Sequence, residues 1–363
     1  MNALGGSAAA GYEPVAAAFE RTLESSGGGA AFAATVDGEL VVDLWGGLAD
    51  PASGRPWAED TLVVLFSGTK GVLATCMLLL VDRGLLALDA PVAAYWPGFR
   101  ADDVLVRHVL AHTAGLPGLR RPFGLEDALD PAAMEARLAA EEPFWPPGSR
   151  LAYHALTFGW LCDGLLRRVD GRSAGRFVAD ELAAPLGLEL WIGLPPELEP
   201  RVATLVPAPG FGITYLGDEP EPLLATLYGV HTDEFRWNEP RFHGAELPAG
   251  NGIATARSVA RLYAGLPGLL SPQSLELAGT ELSRDLCAVT RRPYAYGAGF
   301  ELQTELGRLG PAADAFGHTG MGGSTHGAWP SRGVAFSYAM SELRTESEDG
   351  RGPSVLAALY DAL

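Results

Sequence analysis

Lysine is almost absent from the chain: of 26 lysine and arginine residues among 363, Lys70 is the only lysine. Cysteine is scarce too. Cys76, Cys162 and Cys287 are far apart in apolar or mixed surroundings, a spacing that excludes a zinc cluster or a disulfide framework and predicts buried free thiols. Positive charge is short overall. A net charge of −18 excludes nucleic acid backbones and anionic lipid surfaces as natural partners and disfavours an acidic carrier protein. Long apolar runs are missing, the longest being Val72 to Val81, where a membrane span needs roughly 20 residues. Residues Met1 to Gly11 carry neither basic residues nor an apolar stretch, so no secretory signal is expected and the reading is a soluble, cytoplasmic protein. No phosphate-cradling glycine loop precedes a helix; Gly27-Gly28-Gly29 reads as a turn. No cofactor is expected. No metal is expected either: His108 and His112 stand four apart but lack the glutamate of a zinc-binding H-E-x-x-H, and read as core or turn histidines.

What is present describes a globular protein, with 48% hydrophobic and 19% charged residues and length enough for one large or two ordinary domains. Tyr12 to Leu23 has helical spacing, and Asp37-Gly38 between Ala30–Val36 and Glu39–Trp45 is a strong hairpin signal. Short helices are predicted over Val104 to His112, 125–140, Ala155 to Val169, Ala174 to Leu186 and Ala256 to Ala264, with a last one over Pro353 to Leu363. Tyr296 to Gln303, Phe316 to Ser324 and Val334 to Met340 read as strands or strand edges. Pro195 to Pro248 is irregular and rich in aromatics, including Tyr215, Phe235, Trp237 and Phe242, a composition suited to the wall of a binding cleft. The fold class expected is α/β (α+β): an antiparallel sheet built from both ends of the chain, flanked by N- and C-terminal helices, with a mainly helical insertion. Residues 1–363 are taken as a single catalytic unit, with 1–95 and 246–363 forming the sheet region and 96–245 the helical region with cleft-lining loops. Nothing in the chain fixes the oligomeric state.

The stretch Thr61 to Val81 holds Ser67-Gly68-Thr69-Lys70. An arginine stays charged at any accessible pH, whereas a desolvated lysine can release its proton and act as a base. Serine and lysine three apart share a helix face, the geometry of a base-activated nucleophile. The approach Leu62 to Phe66 and the apolar run after it place Ser67 at the start of a buried helix, where free N–H groups favour developing negative charge. The bland alternative makes Ser67 an N-cap and Lys70 a snorkelling surface residue. Gly171-Arg172-Ser173-Ala174-Gly175 also satisfies G-x-S-x-G. A helical segment precedes it where a strand is required, so Ser173 reads as an N-cap.

Two later segments can complete a site around Ser67: Arg150 to Ala155, with Tyr153, and Phe316 to Ser324, with His318-Thr319-Gly320. With the tract Val106 to Pro117 and Tyr296-Gly297-Ala298-Gly299-Phe300, the chain resembles the serine β-lactamase and penicillin-recognising superfamily, and within it the class C-like esterases akin to family VIII carboxylesterases. The resemblance spans nearly the whole chain. It implies the β-lactamase/transpeptidase-like fold, acylation of Ser67, a general-base role shared by Lys70 and Tyr153, and an oxyanion hole from the backbone N–H groups of Ser67 and Met321. Substrate contacts are then expected from His318, Thr319, Gly320, His154, Trp237 and Phe235, the two aromatics from composition alone.

The departures from the family pattern bear on substrate. Many β-lactamases have K-T-G where this chain has His318-Thr319-Gly320, and lose with the lysine a cation for the substrate carboxylate, since histidine is mostly neutral near pH 7. His154-Ala155 stands where class C enzymes have Ala-Asn. Both changes favour a small to medium neutral ester, hydrolysed through an acyl-enzyme. A transacylase serving an alcohol or amine in a biosynthetic pathway is the alternative. A β-lactamase, a D-peptidase, against which a cytoplasmic location argues, and a non-catalytic binding protein are further ones. The partner expected is a small-molecule ester or amide, with no nucleic acid and no membrane.

Overall fold

The hairpin is the seed of the sheet. Asp37 and Gly38 adopt φ of 49° and 84°, the left-handed pair that a two-residue turn needs to match strand twist, and they join β2 (Gly29–Val36) to β3 (Glu39–Asp50). The computed structural model describes residues 4–24, 26–121, 123–212, 236–345 and 349–363. Its main sheet adds β1 (Gly5–Ala8), β4 (Ser283–Leu286), β5 (Pro293–Tyr296), β6 (Glu301–Leu302), β7 (Phe316–Thr319), β8 (Thr325–Trp329) and β9 (Val334–Met340). The order is β1-β3-β2-β9-β8-β7-β6-β5-β4, every neighbouring pair antiparallel, with Arg55–Pro56 paired to β3 off this path. The two ends of the chain meet where β2 pairs with β9, from Val36 opposite Val334 to Ala30 opposite Met340.

Each face of this sheet has its own core. On one side the terminal helices α1 (Glu13–Glu24) and α6 (Arg351–Asp361) bury Val15, Phe19, Val355 and Leu359 against Phe32 and Phe336. On the other, the cross-strand row Phe316–Ala328–Ala335 meets α4 (Ala256–Leu269) through Val259, Tyr263 and Leu266. Period-two alternation along β7 to β9 sends these sets to opposite faces. The second core continues into α2 (Thr69–Asp82) and α3 (Thr157–Val169). Residues Thr69 to Leu80 of α2 are all buried, so this helix is apolar on every side because it runs through the interior.

The helical predictions hold with local changes. Val104 to His112 contracts to Val106–Leu110, because His112 takes φ 56° and Thr113 N–H turns back to the His108 carbonyl. Residues 125–140 divide into Leu125–Ala128 and Pro131–Ala140, with Asp130 capping the second. The helix expected over Ala256 to Ala264 runs on to Leu269 through Pro267. Tyr296 to Gln303 is two strand ends, β5 and β6, joined by a turn that Gly297 N–H closes on the Phe300 carbonyl. Tyr215 lies outside the described residues.

Candidate active site

The Ser67 segment enters from a small three-stranded sheet of Val63–Val64, Leu190–Ile192 and Gly252–Ala254. Leu65 N–H continues its ladder to the Gly252 carbonyl. Phe66 then takes φ 47°, an uncommon conformation for a bulky residue, and opens the 3₁₀ turn Phe66–Gly68 that feeds α2. Thr69 locks the turn: its hydroxyl donates to the Phe66 carbonyl (2.6 Å) and accepts from Gly252 N–H (2.8 Å). Ser67 therefore stands in the first turn of a buried helix, where backbone N–H groups lack intrahelical acceptors.

Two groups converge on Ser67 Oγ. Lys70 Nζ lies 3.0 Å away and Tyr153 Oη 2.7 Å away. Lys70 is fully buried rather than snorkelling, and its amine also donates to the carbonyls of Ala155 (2.7 Å) and Ala249 (3.0 Å). Burial pushes its pKa well below the usual lysine value, with the buried Cys162 thiol acting weakly in the other direction. A neutral amine has two hydrogens and one lone pair. In that form the two carbonyls would take the hydrogens and leave the lone pair for the serine hydroxyl.

The supports of each group are local. Asn251 donates to the Phe242 and Ala245 carbonyls and accepts from Leu247 N–H, shaping the loop that presents the Ala249 carbonyl. Tyr153 is held through its own N–H, which donates to Cys287 Sγ (3.3 Å), and its ring stacks on Tyr294 at 5.7 Å and Tyr296 at 6.3 Å between centroids. All three cysteines are buried and free, and Cys287 is the one that supports the site.

His318, Thr319, Gly320 and Met321 line the same cleft as Ser67 and Tyr153. Thr319 gives its N–H (3.2 Å) and hydroxyl (2.9 Å) to the buried Glu301 carboxylate, which also pairs with Arg308. Gly320 is obligatory: a β-carbon there would lie 2.4 Å from the Leu65 carbonyl oxygen. The turn after β7 closes through Gly320 N–H to the Ser324 carbonyl and Gly323 N–H to the Gly320 carbonyl, bonds that do not use the N–H of Met321.

Other expected contacts change. His154 is wholly buried, with Nε2 accepting from Leu116 N–H (3.2 Å) and Nδ1 at 2.5 Å from the Ala152 carbonyl. Burial lowers its pKa to about 4. It is a scaffold residue and not a substrate contact, because neighbouring side chains of an extended segment point opposite ways and Tyr153 takes the cleft side. Trp237 packs edge-on against Phe66 at 5.1 Å and tilted against Phe242 at 6.2 Å, so it backs the strained turn. Phe235 lies outside the described residues. Ser173 caps a helix, accepting from Arg176 N–H, and donates to Glu246.

Sequence reasoning missed Arg292, Arg308 and Arg344, which reach the cleft wall beside Tyr294 and Glu301. Nothing in their local sequence marks them among the chain's other arginines. A larger hollow of about 950 Å³ between α4, α5 (Pro272–Gly279) and the sheet contains none of Ser67, Lys70 or Tyr153. Among the described residues, no group of three or more His, Cys, Asp or Glu residues could hold a metal ion.

Comparison with known proteins agrees with this geometry. A family model described as Beta-lactamase matches residues 15–360. The chain is 37% identical over 348 residues to "Esterase/beta-lactamase LipL" of Mycobacterium tuberculosis, covering 87% of this chain and 77% of that protein. Among solved structures, a family VIII carboxylesterase superposes with a TM-score of 0.92 at 33% identity, over 99% of this chain and 100% of the other. A penicillin-binding protein homolog from Caulobacter crescentus gives 0.91 at 35%, again over 99% and 100%.

Proposed function

The chain belongs to the Beta-lactamase family, and from that premise we propose that it is a serine hydrolase, a carboxylesterase that forms an acyl-enzyme on Ser67. The observation that carries the reading is the placement of Ser67 Oγ between Lys70 Nζ at 3.0 Å and Tyr153 Oη at 2.7 Å.

In this reading the neutral Lys70 amine, alone or through Tyr153, takes the Ser67 proton as Oγ forms its bond to the ester carbonyl carbon. The negative oxygen that develops is held by the N–H groups of Ser67 and Met321, each worth about 3 kcal/mol of barrier by analogy with other oxyanion donors. The C–O bond to the alcohol then breaks and the alcohol leaves with the proton. A water repeats the sequence on the acyl-enzyme, giving its proton to the same base and releasing the acid. His318 and Thr319 border the substrate. Hydrolysis of short-chain nitrophenyl esters should be readily measured, and should vanish in Ser67→Ala together with fluorophosphonate labelling read by intact mass. Full turnover by that variant would remove Ser67 from the mechanism.

The same acyl-enzyme serves two other readings. "Esterase/beta-lactamase LipL" pairs two activities in its name, which makes β-lactam opening the second reading to test, by penicillin adduct mass on Ser67. Transfer to an alcohol or amine would appear as acceptor-dependent diversion of product from the free acid. The cytoplasm remains the proposed location; among the described residues, no helix is long and apolar enough to cross a membrane.

A further inference from the structure

The chain leaves the helix Val106–Leu110 through a buried histidine, His112, that is bonded to the segment carrying Tyr153. At φ 56° His112 departs from the helical path, a conformation that a residue other than glycine keeps only where its surroundings hold it. Two hydrogen bonds do so. The His112 carbonyl accepts from Ala152 N–H at 3.0 Å, and the imidazole Nδ1 accepts from His154 N–H, also at 3.0 Å.

In an extended segment the N–H groups of residues two apart point to one edge and that of the residue between them to the other. Ala152 and His154 give theirs to His112, while Tyr153 gives its own to Cys287 Sγ at 3.3 Å. Tyr153 is thus the middle residue of a strip held along both edges. The His112 ring also lies against the Tyr153 ring, with 5.0 Å between centroids. A backbone N–H can only donate, so Nδ1 keeps its lone pair and the ring is neutral with its proton on Nε2. The bond to the carbonyl would survive any substitution at 112, whereas the bond to Nδ1 needs an acceptor at the δ position. Asparagine offers one, and it also tolerates the left-handed backbone. Beyond His154 the segment has further ties, from Leu116 N–H to His154 Nε2 and from the Thr157 hydroxyl to the Leu116 carbonyl. What depends on Nδ1 is therefore the hold on Tyr153.

Resting on the acyl-enzyme reading in which Tyr153 shares the base role, we propose that His112 is a positioning residue for the reaction: by binding the amides on either side of Tyr153 and packing on its ring, it sets Tyr153 Oη at 2.7 Å from Ser67 Oγ. It acts only through Tyr153, and its ring neither gives nor takes a proton in the cycle. Proton transfer between two oxygens depends steeply on their separation, and a shift of about 1 Å in a reacting group costs about 10²-fold in rate.

The test is a cycle of variants read by turnover of 4-nitrophenyl butyrate and by the rate of fluorophosphonate labelling of Ser67. His112→Leu fills the same space without an acceptor, and its kcat should fall by about tenfold to 10²-fold with KM within about threefold of wild type. His112→Asn should keep kcat within about threefold of wild type. In the Tyr153→Phe background, where no phenol is left to place, His112→Leu should lower kcat and labelling rate by less than about threefold. Urea unfolding reports whether each variant is folded; where His112→Leu is not, His112→Gly, which suits φ 56°, is read in its place. An unchanged kcat on removing the imidazole, an asparagine variant as slow as the leucine one, or an equal loss in the Tyr153→Phe background overturns the proposal, and wild-type turnover leaves the esterase reading standing. Absence of both turnover and labelling in the wild-type protein, or full activity in Tyr153→Phe, overturns the reading on which the proposal rests and the proposal with it.

Discussion

Thr69 and Gly252 are joined by a 2.8 Å hydrogen bond from the glycine N–H to the threonine hydroxyl, and the same hydroxyl donates to the Phe66 carbonyl at 2.6 Å. One buried side chain thus ties the small sheet to the strained residue before the nucleophile. Thr69→Val keeps the shape and removes both bonds, leaving a buried donor and acceptor unpaired at about 1–3 kcal/mol. The expected outcome is a lower urea midpoint and a reduced kcat, since the Phe66 conformation loses its tie. Gly252→Ala should also destabilise, because its β-carbon would fall 2.7 Å from Thr69 Oγ1. Chemical denaturation and ester kinetics on the two variants check this; unchanged midpoints in both would remove the tie from the account.

Lys70→Arg tests the protonation state rather than the charge. Arginine cannot surrender a proton at accessible pH, and the pocket formed by the Ala155 and Ala249 carbonyls is sized for an ammonium or amine. The variant should lose about 10²–10⁴-fold in kcat, the usual worth of a positioned base. Tyr153→Phe should lose a comparable factor. The double variant should lose little more than the worse single one, because groups acting as a unit on one hydroxyl are not additive. Multiplicative losses would mean that the two residues act on separate steps.

How much of this was legible beforehand depended on what made a residue unusual. Lys70 is the only lysine, so its retention carried information that none of the arginines could; Ser67 and Tyr153 followed from spacing and resemblance. Arg292 and Arg308 are invisible by the same logic, as two arginines among many, brought to the cleft only by the pairing of β4 to β7. His154 misled because adjacency to Tyr153 in sequence puts its side chain on the opposite side of an extended segment. The helix before His112 ends sooner than its apolar spacing predicts, because a residue other than glycine at φ 56° leaves no mark in such a pattern. The hairpin at Asp37-Gly38 and the terminal helices were readable because local turn chemistry and period agree with the tertiary structure.

Three buried histidines make stability sensitive to acid. Burial holds His154 at about 4 and His326 at about 3, and drives His112 well below its usual value, with His154 and Lys70 adding to the last. The unfolded chain protonates these rings near pH 6.5 while the folded one does not, so the unfolded state binds more protons and stability falls as pH drops from about 6.5 toward 4. Each ring contributes a slope of about 1.4 kcal/mol per pH unit in that window. Asp163 opposes them: burial raises its pKa to about 6, so between its unfolded value and 6 the folded state binds the extra proton. These four groups together give a slope near two protons from pH 6 to 4.5, and His108, whose pKa burial also lowers, steepens it; urea unfolding at several pH values measures it. His326→Gln should reduce it by about one proton; an unchanged slope in that variant would show that the ring is protonated in the folded state.

Gly320→Ala separates the geometry of the proposed oxyanion hole from substrate binding. The added carbon would lie 2.4 Å from the Leu65 carbonyl oxygen and 2.2 Å from Ser324 Oγ, and neither neighbour can yield freely. Leu65 is held through its N–H to Gly252, and Ser324 lies in the turn that Gly320 N–H closes. The strain must therefore move the segment that carries Met321 away from the nucleophile turn. Stabilisation of the developing oxyanion is made only in the transition state, so its loss lowers kcat and leaves KM near its wild-type value. A drop of about 10²–10³-fold in kcat is expected, the size seen when one oxyanion donor is lost. Fluorophosphonate labelling passes through a similar negatively charged oxygen and should slow by a similar factor, whereas a change confined to KM would place Gly320 in substrate binding and not in the hole.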